Sequence, residues 1–237
     1  ESDFIIGKDY NQDPTSGKWQ MLGKVQAVTE EEFNPANDII SIAGDWNMSL
    51  DGTVFKVGDQ YYYCWAQYVQ CSGTEGDANS KFDEISGDSI ITINGNDYIN
   101  GANNSGWSCL FIGKTSPDDF TKVTEATIIS IPEYDWEYGM DTSICTHTSA
   151  NVNVNEGPAV LVRNGKVFIV FSASACDESY CLGMLTANQN ADLCDMESWK
   201  KNERPVFTTS VANAVYGPGH CSFTKSSDYQ WDLIVYH

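Results

Sequence analysis

The sequence predicts an all-β protein, and three observations carry that expectation. Apolar residues come in short runs rich in Val, Ile, Tyr and Phe, bounded by Gly, Asn and Asp, without helical periodicity. Neighbouring runs are joined by tight-turn signals such as Val57-Gly58-Asp59-Gln60 and Arg163-Asn164-Gly165-Lys166, where Asn-Gly supplies the positive φ of a hairpin. A weak internal repeat recurs three times along the chain, as long-period architectures require.

The clearest strands are predicted at 53–57, 60–65, 89–93, 126–131, 159–162, 166–172 and 232–236. The repeat consists of one polar residue, then an apolar strand, then a hairpin into a more hydrophobic strand. Its copies are Leu50-Asp51-Gly52-Thr53-Val54-Phe55 leading to Tyr61-Tyr62-Tyr63-Cys64-Trp65, Asn155-Glu156-Gly157-Pro158-Ala159-Val160 leading to Val167-Phe168-Ile169-Val170-Phe171-Ser172, and Gly219-His220-Cys221-Ser222-Phe223 leading to Trp231-Asp232-Leu233-Ile234-Val235-Tyr236. In a β-propeller the innermost strand of each blade starts at the central channel, so Asp51, Glu156 and His220 are expected to converge there. The gaps between them exceed a blade of about 40 to 45 residues, so intervening loops or blades are needed. The polar stretch 67–104 and the loop 134–154 are the candidate insertions, placed where loops shape a ligand site.

Composition narrows the partners. The 237 residues suit a single domain, and a net charge of −20 disfavours nucleic acid and anionic membrane, whereas a neutral sugar is compatible with it. The longest apolar run, Val167-Phe168-Ile169-Val170-Phe171, is too short to cross a bilayer. Eight cysteines without a CxxC pair or zinc spacing read as disulfides in a secreted, extracellular protein, and the sequons at Asn47 and Asn103 fit that compartment. Cys176 with Cys181, and Cys64 with Cys71, are short-range pairing candidates among 105 connectivities. The start at Glu1, without Met or a signal-like run, implies a targeting segment removed or never included.

The chemistry centres on Glu156. Glycoside hydrolysis takes two carboxyl groups, one protonated to release the leaving oxygen and one ionised to activate water or attack the sugar. A carboxyl at a blade start, partly desolvated and near a second carboxylate, has the environment that raises its pKa. Spacing alone also allows Glu156 to be an ordinary exposed acid among 33.

The segment from Asn155-Glu156-Gly157-Pro158 through Phe171-Ser172 resembles the acid-bearing segment of family 43 glycoside hydrolases, five-bladed propellers that include α-L-arabinofuranosidases, arabinanases and β-xylosidases. Leu50 to Phe55, Tyr134-Asp135-Trp136-Glu137, Cys181 to Leu185, Ser198 to Lys201, Arg204-Pro205-Val206-Phe207 and Tyr216 to Phe223 extend the resemblance over nearly the whole chain, closest to the extracellular exo-arabinofuranosidase-like branch. It implies an incomplete five-bladed propeller spanning 1–237, about three to four blades, truncated at both ends relative to the family.

Carried over residue by residue, the resemblance makes Glu156 the general acid and Asp51 the carboxylate that orients it and modulates its pKa. His220 matches an axial histidine that helps hold a central ion or water. No cofactor is required, and a structural calcium or other central ion held through water is compatible; a structural hydrogen-bonding role for His220 is the plainer alternative. The family's general base lies in an Asp-Pro-aromatic segment of the first blade, which this chain lacks; Asp13-Pro14 is followed by Thr15-Ser16-Gly17-Lys18-Trp19 and is not assigned. Trp107 and Trp136, near the candidate loops, are the aromatics expected to line the site, and His147 and His237 carry no motif.

The implied activity is inverting removal of terminal α-L-arabinofuranosyl units from plant-wall arabinan or arabinoxylan by a monomer. The alternatives are a β-xylosidase, an endo-arabinanase, or a non-catalytic propeller that binds arabinose- or xylose-containing carbohydrate.

Overall fold

The structure, a computed structural model, describes residues 3–8, 18–24, 26–27, 49–71, 90–93, 96–100, 107–139 and 153–237. Among them every regular element beyond single-turn 3-10 helices is a strand: β1 (Asp3–Lys8), β2 (Lys18–Lys24), β3 (Gln26–Ala27), β4 (Ser49–Val57), β5 (Gln60–Cys71), β6 (Ile90–Ile93), β7 (Asn96–Asn100), β8 (Trp107–Ser116), β9 (Asp119–Ser130), β10 (Asn155–Arg163), β11 (Lys166–Ala173), β12 (Cys181–Asn188), β13 (Lys200–Lys201), β14 (Ser222–Lys225) and β15 (Asp232–Val235). None of the described residues forms a helix long and apolar enough to cross a membrane.

Two antiparallel arrays of four strands dominate: β4-β5-β8-β9, which lies within a seven-stranded sheet with β3, β6 and β7, and β10-β11-β12-β13, a sheet of its own. Local turn chemistry starts each. Gly58 supplies positive φ between β4 and β5, and Asn164 and Gly165, both at positive φ, close β10 onto β11 as the Asn-Gly signal requires.

The two arrays stack through a shared core. Tyr62, Cys64 and Ala66 of β5 point to the same side as Leu110 and Ile112 of β8 and meet Val167, Ile169, Phe171 and Leu185 of the second array. The alternate residues Tyr63 and Trp65 turn to the opposite face and pack with Phe111, Val123 and Ile128. With both faces covered, β5 reads as a continuous apolar run rather than as an alternation. On the far face of the second array, Ala159, Val170 and Leu182 pack with Cys221 and Phe223, which bring in the hairpin β14–β15.

The predicted insertion 67–104 is partly regular. β5 runs on to Cys71, and the β6–β7 hairpin pairs with its last residues. Of the predicted loop 134–154, residues 134–139 form turns and 140–152 lie outside the described residues. The sequon asparagines Asn47 and Asn103, His147 and Asp13 also lie outside them.

Two sequence expectations are corrected. The Cys176–Cys181 and Cys64–Cys71 pairings do not form, since Cys64 and Cys176 are free thiols. The strand pleat turns Cys64 and Cys181 into the core between the arrays, whereas Cys176 sits in an exposed loop. Trp136 does not line a pocket. It is buried at 3% exposure, stacked on Tyr134 and Phe171 with centroids 6.1 Å away in each case, and its indole N–H donates to the Glu203 carbonyl at 3.1 Å.

A glycine makes room for that indole. A Cβ on Gly183 would stand 2.4 Å from Phe171 and 2.6 Å from Trp136. Gly183→Ala is therefore expected to destabilise the fold by about 1–3 kcal/mol, the usual cost of overpacking. Denaturant titration checks this, and adding Trp136→Phe should recover part of the loss, because residues in contact do not add independently.

Candidate active site

The leading residues of the three repeat copies meet. In both β4 and β10 the ladder register shifts at the strand start, between Leu50 and Thr53 and between Glu156 and Ala159. Such bulges re-aim side chains and are common beside active sites. Asp51 adopts φ +57 within the first bulge, a left-handed conformation that Asp tolerates better than most residues. Gly157 adopts φ +55 in the second, where a Cβ would also crowd the His220 ring and the Ser172 hydroxyl at 3.3 Å.

These backbone choices bring the side chains together. The Gly157 N–H donates to Asp51 Oδ2 at 3.0 Å, and Asp51 Oδ1 lies 3.8 Å from His220 Nε2. The backbone N–H of His220 donates to the Ser172 Oγ at 2.6 Å. The Tyr180 hydroxyl donates to Glu156 Oε1 at 2.6 Å, leaving Oε2 as the atom able to carry a transferable proton.

The Glu156 carboxyl is held above its ordinary range. Burial is the largest cause; the Tyr180 hydrogen bond opposes it by favouring the anion, the Asp51 carboxylate raises the pKa further, and His220 lowers it. A partly desolvated carboxyl beside a second carboxylate is the environment that favours the neutral form of one member of a pair. Tyr180 is itself pushed well above the ordinary phenol range by burial and by Glu156, so it acts as a donor rather than as a base. Burial, with Glu156, Asp177 and Asp51, also raises the Cys176 thiol, which disfavours a thiolate nucleophile there.

Three residues of this cluster carried no sequence signal. Tyr180 precedes β12, and the registers Asn155↔Ala173 and Ala173↔Cys181 carry it to the level of Glu156 across β11. Ser172, next to last in β11, stands opposite Glu156 in the ladder. His237 stacks on Tyr180 at 6.2 Å between centroids and lies 6.1 Å from the His220 ring. Only strand register could have found them. Trp107 falls in β8, with its side chain outside what is described.

Among the described residues, the group of side chains close enough to share an ion is Glu125, Asp192 and Cys194, away from His220, and Glu125 there is paired with Lys114.

An all-β scaffold that presents a raised carboxyl beside a second carboxylate on neighbouring strand starts has the anatomy of an acid-catalytic carbohydrate site. The family model for glycosyl hydrolases family 43 matches residues 89–237, and the chain belongs to that family. It is 38% identical over 235 residues to alpha-L-arabinofuranosidase B of Pyricularia oryzae, covering 99% of this chain and 36% of that protein. It is 47% identical over 128 residues to the extracellular exo-alpha-(1->5)-L-arabinofuranosidase of Streptomyces avermitilis, covering 54% of this chain and 24% of the relative. The crystal structure of an alpha-L-arabinofuranosidase from Lactobacillus brevis superimposes with a TM-score of 0.60 at 32% identity, over 92% of this chain and 49% of its own. The chain thus spans at most about half the length of these relatives.

Two outcomes follow from the electrostatics. In a carbon-13 NMR titration of the Glu156 carboxyl, Asp51→Asn should lower the midpoint, because a neighbouring negative charge is removed, and Tyr180→Phe should raise it, because a donor to the anion is lost. A shift in the same direction for both would contradict the assignment of causes. A raised carboxyl contributes stability that is complete below its unfolded pKa and is lost as pH rises through the folded value. Glu156→Gln is therefore expected to raise the melting temperature relative to wild type at neutral pH and to lose that advantage near about pH 4.

Proposed function

We propose that the chain carries the acid half of an inverting exo-acting glycosidase that removes terminal α-L-arabinofuranosyl units from plant-wall arabinan or arabinoxylan. The observation that carries this reading is the Glu156 carboxyl, raised by burial and by Asp51 and hydrogen-bonded by Tyr180 at the mouth of β10. Glu156 protonates the leaving oxygen, and Asp51 sustains its protonated state while anchoring the Gly157 turn. A general base supplied by another part of the protein activates water from the opposite face of the sugar, about 6.5–9.5 Å from the acid.

The relatives, an alpha-L-arabinofuranosidase and an extracellular exo-alpha-(1->5)-L-arabinofuranosidase, support an arabinofuranosyl substrate and an extracellular location. The two four-stranded arrays and the following hairpin have the organisation of consecutive blades, so the complete protein is taken as a five-bladed propeller acting as a monomer. No cofactor is needed, because proton donation and water activation are both carboxylate chemistry. A central ion at His220 would take most of its ligands from water.

The decisive experiment measures arabinose released from α-1,5-linked arabino-oligosaccharides by the complete protein. Glu156→Gln should reduce turnover by about 10²–10⁴-fold, the contribution of a positioned acid. Undiminished release by that variant removes Glu156 from the mechanism. Calorimetric binding of the oligosaccharide without any product from the wild type would identify a carbohydrate-binding protein instead.

A further inference from the structure

Behind the acid lies a buried ionic cluster that the proposed reaction does not use. Glu137 and Asn155 are fully buried, and the Lys201 side chain is 8% exposed. Lys201 Nζ donates to Glu137 Oε1 at 2.8 Å, to Asn155 Oδ1 at 3.2 Å and to the Ile131 carbonyl. Glu137 Oε2 accepts the backbone N–H groups of Glu133 and Tyr134 at 2.8 and 2.9 Å. Asn155 is engaged at every polar side-chain atom: Nδ2 donates to Glu137 Oε1 at 2.7 Å and to the Val154 carbonyl at 2.9 Å, and Oδ1 also accepts from Ser130 Oγ at 2.6 Å. Its carbonyl accepts from Ser108 Oγ at 3.0 Å.

The placement of this cluster tells what it does. Asn155 immediately precedes Glu156, and the ladder register breaks directly after Glu156. The sheet therefore cannot by itself hold the acid's backbone on that side. On the downstream side the turn is fixed by the Gly157 amide on Asp51, and on the upstream side by Asn155. Alternation along the strand turns Asn155 into the protein while Glu156 points to the opposite side, where the Tyr180 hydroxyl meets it. Well-packed apolar residues would serve stability as well as a buried ion pair does, since removing charges from water is costly. What the ion pair adds is a unique, fully hydrogen-bonded orientation.

We propose that the Lys201–Glu137 ion pair, acting through Asn155, is a positioning device that sets where the Glu156 carboxyl points. It rests on the reading of Glu156 as the proton donor. A small displacement of a catalytic group can cost about 100-fold in rate, and that cost should fall only on substrates that need the proton. The double variant Lys201→Met/Glu137→Gln removes both charges together and so avoids stranding one of them, and Asn155→Ser serves if that variant fails to fold.

In the complete protein, kcat and KM are measured on two aryl α-L-arabinofuranosides, one with a poorly departing phenol and one with 2,4-dinitrophenol, which leaves without protonation. The expected result is a loss of about 10- to 100-fold in kcat on the first substrate, little change on the second, and unchanged KM on both, with Lys201→Arg close to wild type. Equal losses on both substrates, or no loss on either, overturn the proposal. Glu156→Gln, run in parallel, separates the two ideas. If it shows the leaving-group dependence and the network variants do not, positioning fails while the acid stands. If it shows none, the acid assignment fails and takes the positioning role with it.

Discussion

The contact on which the site depends is the hydrogen bond from the Gly157 amide to the Asp51 carboxylate, which joins the leading ends of two separate four-stranded arrays. It forms because each array starts with a bulge. In β4 the bulge places Asp51 at positive φ, and in β10 it places a glycine there, whose missing Cβ leaves room for the His220 ring and the Ser172 hydroxyl. Asp51 thus acts twice, as acceptor for the turn that carries Glu156 and as a nearby charge that, after burial, raises the Glu156 pKa.

Opposed influences set the character of Glu156. Burial and Asp51 favour the neutral acid, while Tyr180 and His220 favour the anion, and the net effect is a raised pKa. A proton donor has to give up its proton and later regain it, and a balance of this kind suits that cycle better than burial alone. The supporting shell is rigid. Tyr180 is buried and Ser172 holds the His220 backbone, while Asn155, Glu137 and Lys201 form a satisfied network behind the strand. A half-satisfied network at that depth would cost more than an apolar core, which explains why each of these polar groups has partners.

Legibility differed from element to element for physical reasons. The hairpins β4–β5 and β10–β11 could be read because their turns depend on local backbone preference, visible as Gly58 and as Asn164-Gly165. Strands β8 and β12 were not singled out, since Trp107-Ser108-Cys109-Leu110 and Cys181-Leu182-Gly183-Met184 show neither clean alternation nor β-branched enrichment; their burial comes from neighbours on both faces. Trp136 was expected at a pocket because polar residues surround it in the sequence. It is core because Gly183, distant in sequence, leaves space over Phe171.

By itself the sequence determined the all-β class, the family resemblance and the three leading residues Asp51, Glu156 and His220, because period, turn chemistry and motif are properties of contiguous residues. The tertiary structure alone decided what surrounds them. Tyr180, Ser172 and His237 reach the acid through strand register and a hairpin from the next sheet, and Lys201 reaches Asn155 across the edge of the second array. Those proximities, and the burial that raises Glu156, are set by how strands align rather than by which residues adjoin in the chain.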